Sequence, residues 1–383
     1  MKIALVHRRL DLNGGTERDL FRTAEGLRDL GHDVHLFCGE YRVAAPASIT
    51  PHQIPALRSG RTVQLLSLAL RAPKVIAQAA CDLVLSFDRM PDCDVLRCGG
   101  GTHRGFLRRL AEDGGATSRL WPIMSPYHRT VLALERRQYH SKRVKKIVAV
   151  SAAVKRDIMT NYQVASERIS VLYNGVDLRR FHPQKRAQSG QSVRALWKIP
   201  PDAPLVLFVG SGFRRKGLDR LFSIWHSPKL ASAYLLIVGN DARLGRYRSW
   251  ADGVAPGRIV FAGLRSEIEN YYGAADVVAL PSLQEAFGNV VLEALASGLP
   301  VLVSRAVGAA EILSGSLVRG IVERPDDGAE LLATLVSLLG KAGGEALRLE
   351  ARSIGETYSW ERHFHGLAAL LREVKVAPAG RVC

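Results

Sequence analysis

The chain alternates short apolar runs with glycine-marked turns and longer segments of helical spacing. This alternation is typical of parallel α/β architecture, in which helices connect successive buried strands. In the first half it predicts strands at 3–7, 34–38, 83–87, 146–150 and 169–172. In the second half it predicts strands at 205–209, 234–238, 259–262, 277–280, 301–304 and 317–322.

The two sets of predicted strands are separated by a polar stretch at 177–191. The 383 residues are enough for two doubly wound domains of similar size. Open α/β sheets bind ligands beyond the carboxyl ends of their strands, so two facing domains of this kind would hold a ligand in the cleft between them. We therefore look for chemistry in the loops that follow the strands.

Charge and cysteine content restrict the functional class. The chain has 53 Lys and Arg against 36 Asp and Glu, a net charge of +17, which favours polyanionic partners. A nucleic-acid-binding protein remains an alternative, although no zinc finger, RNP-type aromatic motif or helix-turn-helix supports it. The five scattered cysteines favour a reducing, cytoplasmic setting. No run of eighteen apolar residues occurs, so we expect any membrane contact to be peripheral.

Two glycine-rich loops follow predicted strands. Gly14 and Gly15 precede a helix, where backbone N–H groups favour a phosphate, although a plain strand-to-helix turn explains the pair equally well. The absence of G-x-G-x-x-G spacing argues against a nicotinamide oxidoreductase. In the second loop, Arg214, Arg215 and Lys216 stand between glycines. Cations at a helix start oppose the helix dipole, which favours binding of a diphosphate over a solvated charge run.

A third loop carries two carboxylates. Glu285 follows the strand at 277–280, and Glu293 lies on the helix that begins near Asn289. Two carboxylates so placed can accept hydrogen bonds from sugar hydroxyls, with Glu293 suited to a ribose and Glu285 to a transferred sugar. The backbone N–H groups of residues 287–290 point from a helix N-terminus toward a phosphate position.

Together these motifs resemble those of the family 4 retaining glycosyltransferases. The likeness rests on the E-x7-E spacing of Glu285 and Glu293, the A-x-G-x-P-V tail after them, the second glycine loop, and the segments 174–177 and 359–362. Within the family, Gly14-Gly15-x-x-Arg18-Asp19, Met90-Pro91-x-x-Asp94-Val95 and Arg215-Lys216-Gly217 are most similar to lipopolysaccharide core transferases that glucosylate heptose.

The resemblance implies the GT-B fold, an α/β architecture of two facing doubly wound Rossmann-like domains with an interdomain cleft. Residues 1–175 would form the acceptor-binding domain and 176–355 the nucleotide-sugar domain, with a helix in 356–383 packing back on the first. It also implies a hexosyltransferase that uses a nucleotide sugar, most simply UDP-glucose, on lipopolysaccharide core or a similar glycolipid. Other donors such as GDP-mannose or UDP-N-acetylglucosamine, and other acceptors, remain open.

Site residues follow from the same resemblance. Arg215 and Lys216 would hold the donor diphosphate, Glu293 the ribose, and Glu285 the sugar near its reacting carbon. His103, after three glycines, would lie against the donor sugar, although a lone histidine is often structural. The remaining donor-binding positions are Gly14, Gly15, Arg265, Gly288, Asn289 and Val290.

The expected mechanism is a front-face transfer with retention, in which Arg215 and Lys216 stabilise the leaving diphosphate. No cofactor or metal is needed by such an arrangement. Asp92-Cys93-Asp94 matches the D-x-D motif of metal-dependent transferases, and we interpret it as a surface turn.

Cations greatly outnumber anions between Arg97 and Lys146, where apolar residues such as Trp121, Ile123 and Leu132 are interspersed. This composition is typical of an interfacial anchor, although a solvated face above an ordinary buried stripe is an equal alternative. We expect peripheral association with the anionic inner face of the cytoplasmic membrane. The predicted acceptor and membrane surface consists of Arg104, Arg108, Arg109, Arg136, Arg137, Lys142 and Arg143.

Overall fold

The computed structural model describes residues 1–11, 15–57, 59–113, 125–341 and 344–376. The chain divides into two compact units. The first unit comprises Met1–Tyr173 and Glu361–Cys383, and the second comprises Asn174–Trp360. In the described ranges, none of the helices combines the length and apolar character needed to cross a bilayer.

The first unit contains a seven-stranded sheet in the order β3-β2-β1-β4-β5-β6-β7, and all of its paired strands are parallel. Its strands are β1 (Lys2–Leu10), β2 (Asp33–Tyr41), β3 (Thr50–Gln53), β4 (Leu83–Ser86), β5 (Val95–Cys98), β6 (Lys146–Ala149) and β7 (Ile169–Val171). Its helices are α1 (Gly15–Asp29), α2 (Gly60–Gln78), α3 (His103–Asp113), α4 (Pro126–His140) and α5 (Ala152–Tyr162).

Two strands of this sheet, β3 and β5, were not predicted from the sequence. Strand β3 lies at the edge of the sheet, where Pro51 and polar residues are tolerated because one side lacks a partner strand. Strand β5 is fully buried but carries Arg97, whose Nε donates to Asp19 of α1 at 2.7 Å. A charged residue interrupts the apolar run, and its long-range ion pair offsets part of the cost of burying the charge.

The last helix, α14 (Trp360–Val376), enters the core of the first unit from Glu361 onward. Leu367 and Leu371 are fully buried together with side chains of β1, β2 and α1. Packing against α1 is close, since a Cβ on Gly26 would lie 2.1 Å from the Phe364 ring. The end of the helix is tied to the sheet by an ion pair between Lys375 and Asp82 at 3.0 Å.

The second unit contains a six-stranded parallel sheet in the order β10-β9-β8-β11-β12-β13. Its strands are β8 (Leu205–Val209), β9 (Tyr234–Val238), β10 (Ile259–Gly263), β11 (Val277–Leu280), β12 (Val301–Ser304) and β13 (Ile321–Val322). Its helices are α6 (Gln191–Leu196), α7 (Phe213–Lys216), α8 (Leu218–Ile224), α9 (Leu244–Val254), α10 (Ile268–Ala274), α11 (Asn289–Ala296), α12 (Gly328–Lys341) and α13 (Glu345–Thr357).

The largely aliphatic core of the second unit contains a group of fully buried aromatic side chains, Phe208, Phe213, Phe222 and Trp225. One predicted strand in this unit is wrong over most of its length. Residues 317–320 belong to a 3-10 helix, Gly315–Gly320, and the strand begins only at Ile321. Gly320 makes the junction possible, because a Cβ there would lie 2.0 Å from the carbonyl oxygen of Val301.

Candidate active site

Three charged side chains of the second unit meet beyond the carboxyl ends of β8 and β11. Lys216 Nζ lies 3.1 Å from Oε1 of Glu285, and Arg215 pairs with the same oxygen. The side chains of Lys216 and Glu285 are 12% and 16% exposed, whereas that of Arg215 is 52% exposed. The structure therefore brings together three of the predicted catalytic residues in one ionic cluster.

Glycines give this cluster its geometry. Gly210 has a φ of +143°, and a Cβ there would lie 2.3 Å from Cδ of Lys216. Gly217, after the single turn of α7, has a φ of +85° and lies against the carbonyl of Pro281. Leu283, in the loop after β11, donates its backbone N–H to the Arg215 carbonyl at 2.9 Å. The loops after β8 and β11 thus hold each other in register.

The N-terminus of α11 continues the site. Gly288 precedes the helix with a φ of +95°, and Asn289 and Val290 form its first residues. Nδ2 of Asn174 donates to Oδ1 of Asn289 at 2.7 Å, and Asn174 is 8% exposed. Two motifs that lie far apart in the sequence, 174–177 and 285–293, are therefore joined by a side-chain hydrogen bond.

Glu293, on the same helix, accepts a hydrogen bond from the Tyr272 hydroxyl at 2.6 Å. Tyr272 is fully buried on α10, and burial followed by the nearby Glu293 charge raises its pKa well above the usual value for tyrosine. It is therefore a hydrogen-bond donor at any physiological pH. Sequence reasoning missed Tyr272, since a tyrosine next to another tyrosine carries no distinguishing spacing.

Arg265 follows β10 at the carboxyl edge of the same sheet. Its Nε donates to the Ala262 carbonyl at 2.9 Å, and its guanidinium lies over the Trp197 ring, 5.3 Å from the centroid. Trp197 was not predicted as a site residue. Together the two residues present a flat aromatic and guanidinium surface, the kind of surface on which a nucleobase can stack.

Among the predicted residues of the first unit, Gly14 lies outside the described residues, and Gly15 is the first residue of α1. A Cβ on Gly15 would have no heavy atom within 4 Å. His103 begins α3, directly after the Gly99–Gly101 segment that follows β5. Gly15 and His103 belong to a different unit from the ionic cluster around Glu285.

His103 lines a cavity of about 290 Å³ within the first unit, together with Arg8, Asp88, Arg89 and Glu135. Glu135, from α4, is 2% exposed, and its carboxylate accepts the His103 backbone N–H at 2.8 and 2.9 Å. The Tyr162 hydroxyl donates to the same carboxylate at 2.7 Å, and Arg89 lies 3.4 Å away. A buried carboxylate thus fixes the start of α3 and the backbone of His103.

Nε2 of His103 lies 2.8 Å from Nδ1 of His128. Burial, with smaller effects of Arg89 and His128, lowers the His103 pKa to about 4, and burial also lowers the His128 pKa. Both rings are therefore neutral at neutral pH, and one donates a hydrogen bond to the other. His103 is available as a neutral hydrogen-bonding group rather than as a cation.

Asp88 and Arg89 also line this cavity and were not predicted. Asp88 accepts the backbone N–H of Arg89 at 2.8 Å and that of Arg8 at 3.2 Å. Burial opposes its ionisation, but the neighbouring His7, Arg8 and Arg89 charges outweigh that effect and lower the Asp88 pKa. The cavity therefore offers an ionised carboxylate, two guanidinium groups and a neutral imidazole.

Two family models match successive parts of the chain. Glycosyltransferase Family 4 matches residues 13–180, and Glycosyl transferases group 1 matches residues 203–341. Together they account for most of both units. The chain belongs to the family 4 glycosyltransferases.

This glycosyltransferase is 27% identical over 321 residues to the lipopolysaccharide glucosyltransferase WaaG of Escherichia coli (strain K12), covering 82% of each chain. A crystal structure of WaaG matches with a TM-score of 0.79 at 23% identity, over 96% of this chain and 99% of that one. The structure of Anabaena Alr3699/HepE in complex with UDP-glucose matches with a TM-score of 0.69 at 19% identity, over 97% and 100%. The two parallel-sheet units have the predicted GT-B fold.

The D-x-D segment of the glycosyltransferase is a structural connection rather than an exposed turn. Cys93 is fully buried, and the Asp94 carboxylate accepts the Val84 N–H at 2.9 Å. The Asp94 carbonyl accepts the N–H of Lys145 at 2.8 Å, which ties β5 to β6. Within the described residues, no three His, Cys, Asp or Glu side chains are arranged to hold a metal ion.

Only some residues of the predicted acceptor and membrane surface are freely exposed. Arg108, Arg136, Arg137, Lys142 and Arg143 are exposed. Arg109 is instead 27% exposed and lies 3.6 Å from Asp157, and exposed Arg104 donates to the Asn161 carbonyl at 3.2 Å. Of the apolar residues in this segment, Val131 is fully buried, and Trp121 and Ile123 lie outside the described residues.

Proposed function

We propose that this glycosyltransferase transfers glucose from UDP-glucose, with retention of configuration and without a metal, to lipopolysaccharide core or a similar glycolipid. The reaction would take place at the cytoplasmic face of the membrane. The ionic cluster of Lys216, Arg215 and Glu285 is the observation that carries the proposal. Two cations and a carboxylate at the carboxyl edge of a parallel sheet suit a diphosphate and the sugar attached to it.

The two cations would act on the leaving group. When the bond between the anomeric carbon and the diphosphate oxygen breaks, negative charge develops on that oxygen. Lys216 is mostly buried, so its charge acts at low dielectric and stabilises the departing diphosphate more strongly than an exposed lysine would. These cations would supply the charge that a divalent metal supplies in other transferases.

The environment of Glu285 supports a front-face step over a double displacement. A double displacement requires a free carboxylate nucleophile near the anomeric carbon. Glu285 instead shares its Oε1 with two cations, which lowers its nucleophilicity. The step we propose is therefore a front-face transfer: the acceptor oxygen bonds to the carbon on the side the diphosphate leaves, and the acceptor proton passes to a diphosphate oxygen.

The rest of the donor would lie along the same sheet edge. The Glu293 carboxylate is positioned by the Tyr272 hydroxyl, and a carboxylate held at this place can accept hydrogen bonds from the ribose hydroxyls. The Arg265 and Trp197 surface would receive the base. The complex of HepE with UDP-glucose, a protein of the same fold, supports a uridine nucleotide.

The acceptor would lie in the cavity of the first unit. Ionised Asp88 can accept a hydrogen bond from a sugar hydroxyl, and Arg8 and Arg89 can hold an anionic substituent. Neutral His103, which the family resemblance places against the donor sugar, would hydrogen-bond to a hydroxyl of that sugar from the same cavity. The name of WaaG, a lipopolysaccharide glucosyltransferase, supports a core saccharide as acceptor. The exposed cations Arg108, Arg136 and Arg137 support attraction to an anionic membrane.

The test is a donor panel of UDP-glucose, UDP-galactose, UDP-N-acetylglucosamine and GDP-mannose, incubated with truncated core lipopolysaccharide while nucleotide release is followed. We expect acceptor-dependent release of UDP from UDP-glucose, undiminished in EDTA, and an α-linked product by NMR. Release from another donor only would overturn the glucose assignment, and release only with a soluble acceptor such as sucrose would overturn the lipopolysaccharide assignment. A β-linked product would overturn retention.

A further inference from the structure

Asp276, which directly precedes β11, accepts hydrogen bonds from three arginines and a backbone N–H. Its Oδ2 accepts from Nη2 of Arg194 and from the Leu205 N–H, both at 2.9 Å. Its Oδ1 accepts from Nη2 of Arg186 at 2.9 Å and from Nη2 of Arg348 at 3.3 Å. One carboxylate charge therefore faces three guanidinium charges. We call Arg186, Arg194, Arg348 and Asp276 the Asp276 cluster.

The three arginines of the cluster differ in exposure. The Arg194 side chain is 4% exposed, and its Nε and Nη1 donate to backbone carbonyls before β8 and at the end of α10. Arg194 is therefore a structural residue of the second unit. The Arg186 and Arg348 side chains are 49% and 20% exposed. These two guanidinium groups form the outer part of the cluster, where a dissolved ion can reach them.

Arg186 reaches the cluster from an unusual local structure. It is the first residue of a π-helix, Arg186–Gly190, a rare form that occurs frequently at functional sites. This turn packs closely on α10, because a Cβ on Gly190 would lie 2.6 Å from a backbone carbonyl oxygen of that helix. Nη1 of Arg186 donates to the Ala275 carbonyl at 3.0 Å, directly after α10. The π-helix thus holds an exposed guanidinium in a defined position beside Asp276.

Positive charge exceeds negative charge around the cluster. Residues 178–201 contain six Lys and Arg and no Asp or Glu. Burial, followed by the Arg186 charge, lowers the Arg348 pKa from its usual value, although the Asp276 charge opposes this shift. Asp276 therefore does not fully offset the repulsion between the guanidinium groups. An anion at the outer side of the cluster would offset more of it.

We propose that Arg186 and Arg348 bind a phosphate group at the outer side of the Asp276 cluster. Three guanidinium charges and one carboxylate charge leave a net charge of +2. A phosphate group carries up to about two negative charges at neutral pH, so its charge matches that of the cluster. Guanidinium groups also present paired N–H donors that fit phosphate oxygens. The ligand class is phosphate, as the free ion or as a phosphate monoester.

This site is separate from the proposed donor site. Asp276 precedes β11 and Leu205 begins β8, so the cluster lies at the amino ends of these two strands. Lys216 and Glu285 lie beyond the carboxyl ends of the same strands. A strand of four residues, such as β11, spans roughly 13 Å. A phosphate at the cluster therefore does not compete with a nucleotide sugar, and the inference does not rest on the proposed donor or acceptor.

The test is isothermal titration calorimetry of the full chain with inorganic phosphate and with glucose 1-phosphate, at constant ionic strength. We expect phosphate to bind, and the double variant Arg186→Gln, Arg348→Gln to bind it at least about tenfold more weakly, because charge-assisted hydrogen bonds are lost. The matched control is Arg179→Gln, Lys198→Gln, which removes two exposed cations of the same segment and should bind like wild type. Binding should also persist in Lys216→Ala, in which the proposed donor site is impaired.

Two single variants guard against misfolding of the double variant. Arg186→Gln changes only a half-exposed side chain and should weaken phosphate binding while leaving the circular dichroism spectrum and the urea midpoint measured without phosphate unchanged. Arg186→Lys should bind with intermediate affinity, because lysine keeps the charge but lacks the planar pair of donors.

The outcomes distinguish the sources of the phosphate group. Binding of glucose 1-phosphate at least as tight as that of inorganic phosphate would support a phosphate monoester as ligand, and weaker binding would support the free ion. Equal phosphate affinity of wild type and the double variant, or no binding by wild type, would overturn the proposal. Loss of binding in Lys216→Ala would also overturn it, by assigning the phosphate to the donor site. Failure of the donor panel would leave the calorimetric result untouched, so the two proposals fail separately.

Discussion

The two units use the same architecture but assemble their charged sites differently. In the second unit, Arg215, Lys216 and Glu285 come from two loops whose glycine and charge motifs are visible in the sequence. In the first unit, the cavity depends on Glu135, whose carboxylate binds the backbone of a residue 32 positions away. A site built from local motifs can be found by reading a sequence, whereas a site built from distant buried partners cannot.

The largest expected effect is at Lys216. Replacement of Lys216 by Ala removes the mostly buried cation beside Glu285 and should lower kcat about 10²–10³-fold, as loss of one transition-state charge contact typically does. Steady-state kinetics with nucleotide release would measure it. Arg214→Ala is the matched control, because Arg214 is exposed in the same turn of helix. Near-normal turnover of the Lys216 variant would exclude this cluster as the leaving-group site.

The second prediction concerns how backbone geometry positions Lys216. Gly210→Ala places a methyl group 2.3 Å from Cδ of Lys216, too close for both to stay in place, at a φ of +143° that side chains rarely adopt. We expect a loss of about 1–3 kcal/mol in stability and a kcat reduction beyond tenfold. Gly212→Ala is the control, since its φ is also positive, at +75°, but its Cβ meets open space. Equal activity of the two variants would show that Lys216 does not need this fit.

The third prediction tests whether the first unit depends on its buried carboxylate. Glu135→Gln keeps the shape but gives the His103 N–H and the Tyr162 hydroxyl one acceptor oxygen instead of two. We expect the free energy of unfolding to fall by roughly 1–3 kcal/mol in urea denaturation. Glu373→Gln, an exposed glutamate on α14, should change it by less than about 0.5 kcal/mol. Equal stabilities would mean that Glu135 is dispensable to the cavity.

How much of the fold can be predicted from the sequence depends on whether the stabilising contacts are local or distant along the chain. The alternation of apolar runs predicted both sheets, because burial of parallel strands is local in sequence. It failed at β5, where buried Arg97 depends on Asp19, and at residues 317–320, where a 3-10 helix replaces the expected strand. These errors arise where tertiary partners outweigh local pattern.

The same limit applies to the site. Glu285, Glu293 and Lys216 could be named as candidates because their spacing and flanking glycines are distinctive, and the roles assigned to them stay predictions. Tyr272, Trp197, Asp88 and Glu135 were missed, because each acquires its role from a partner remote in the sequence. The basic segment was assigned to a surface as a whole, yet Arg109 pairs with Asp157. Charge density alone does not show which cations face solvent.

Acid should affect the first unit through two histidines, half-buried His103 and buried His363. Burial lowers the pKa of both His103 and His363 to about 4, from an ordinary value of 6.5. A pKa that is lower in the folded state means that protonation favours the unfolded chain, so stability should fall as pH decreases from about 6.5 toward 4. The double variant His103→Gln, His363→Gln should show a smaller change in urea midpoint between pH 7 and pH 5. An unchanged pH dependence would assign acid sensitivity to other groups.

The smallest expected effect distinguishes the two interpretations of Gly15. Because Gly15 begins α1 and its Cβ position is open, Gly15→Ala fits the fold without strain and should stabilise it by up to about 0.5 kcal/mol. If the backbone there approaches the donor diphosphate, as the family resemblance implies, the added methyl group should raise the KM for the nucleotide sugar severalfold and leave kcat nearly unchanged. We expect that KM increase. A variant that is slightly more stable with an unaltered KM would make this loop a plain strand-to-helix turn, and donor recognition would then rest on the motif loops of the second unit.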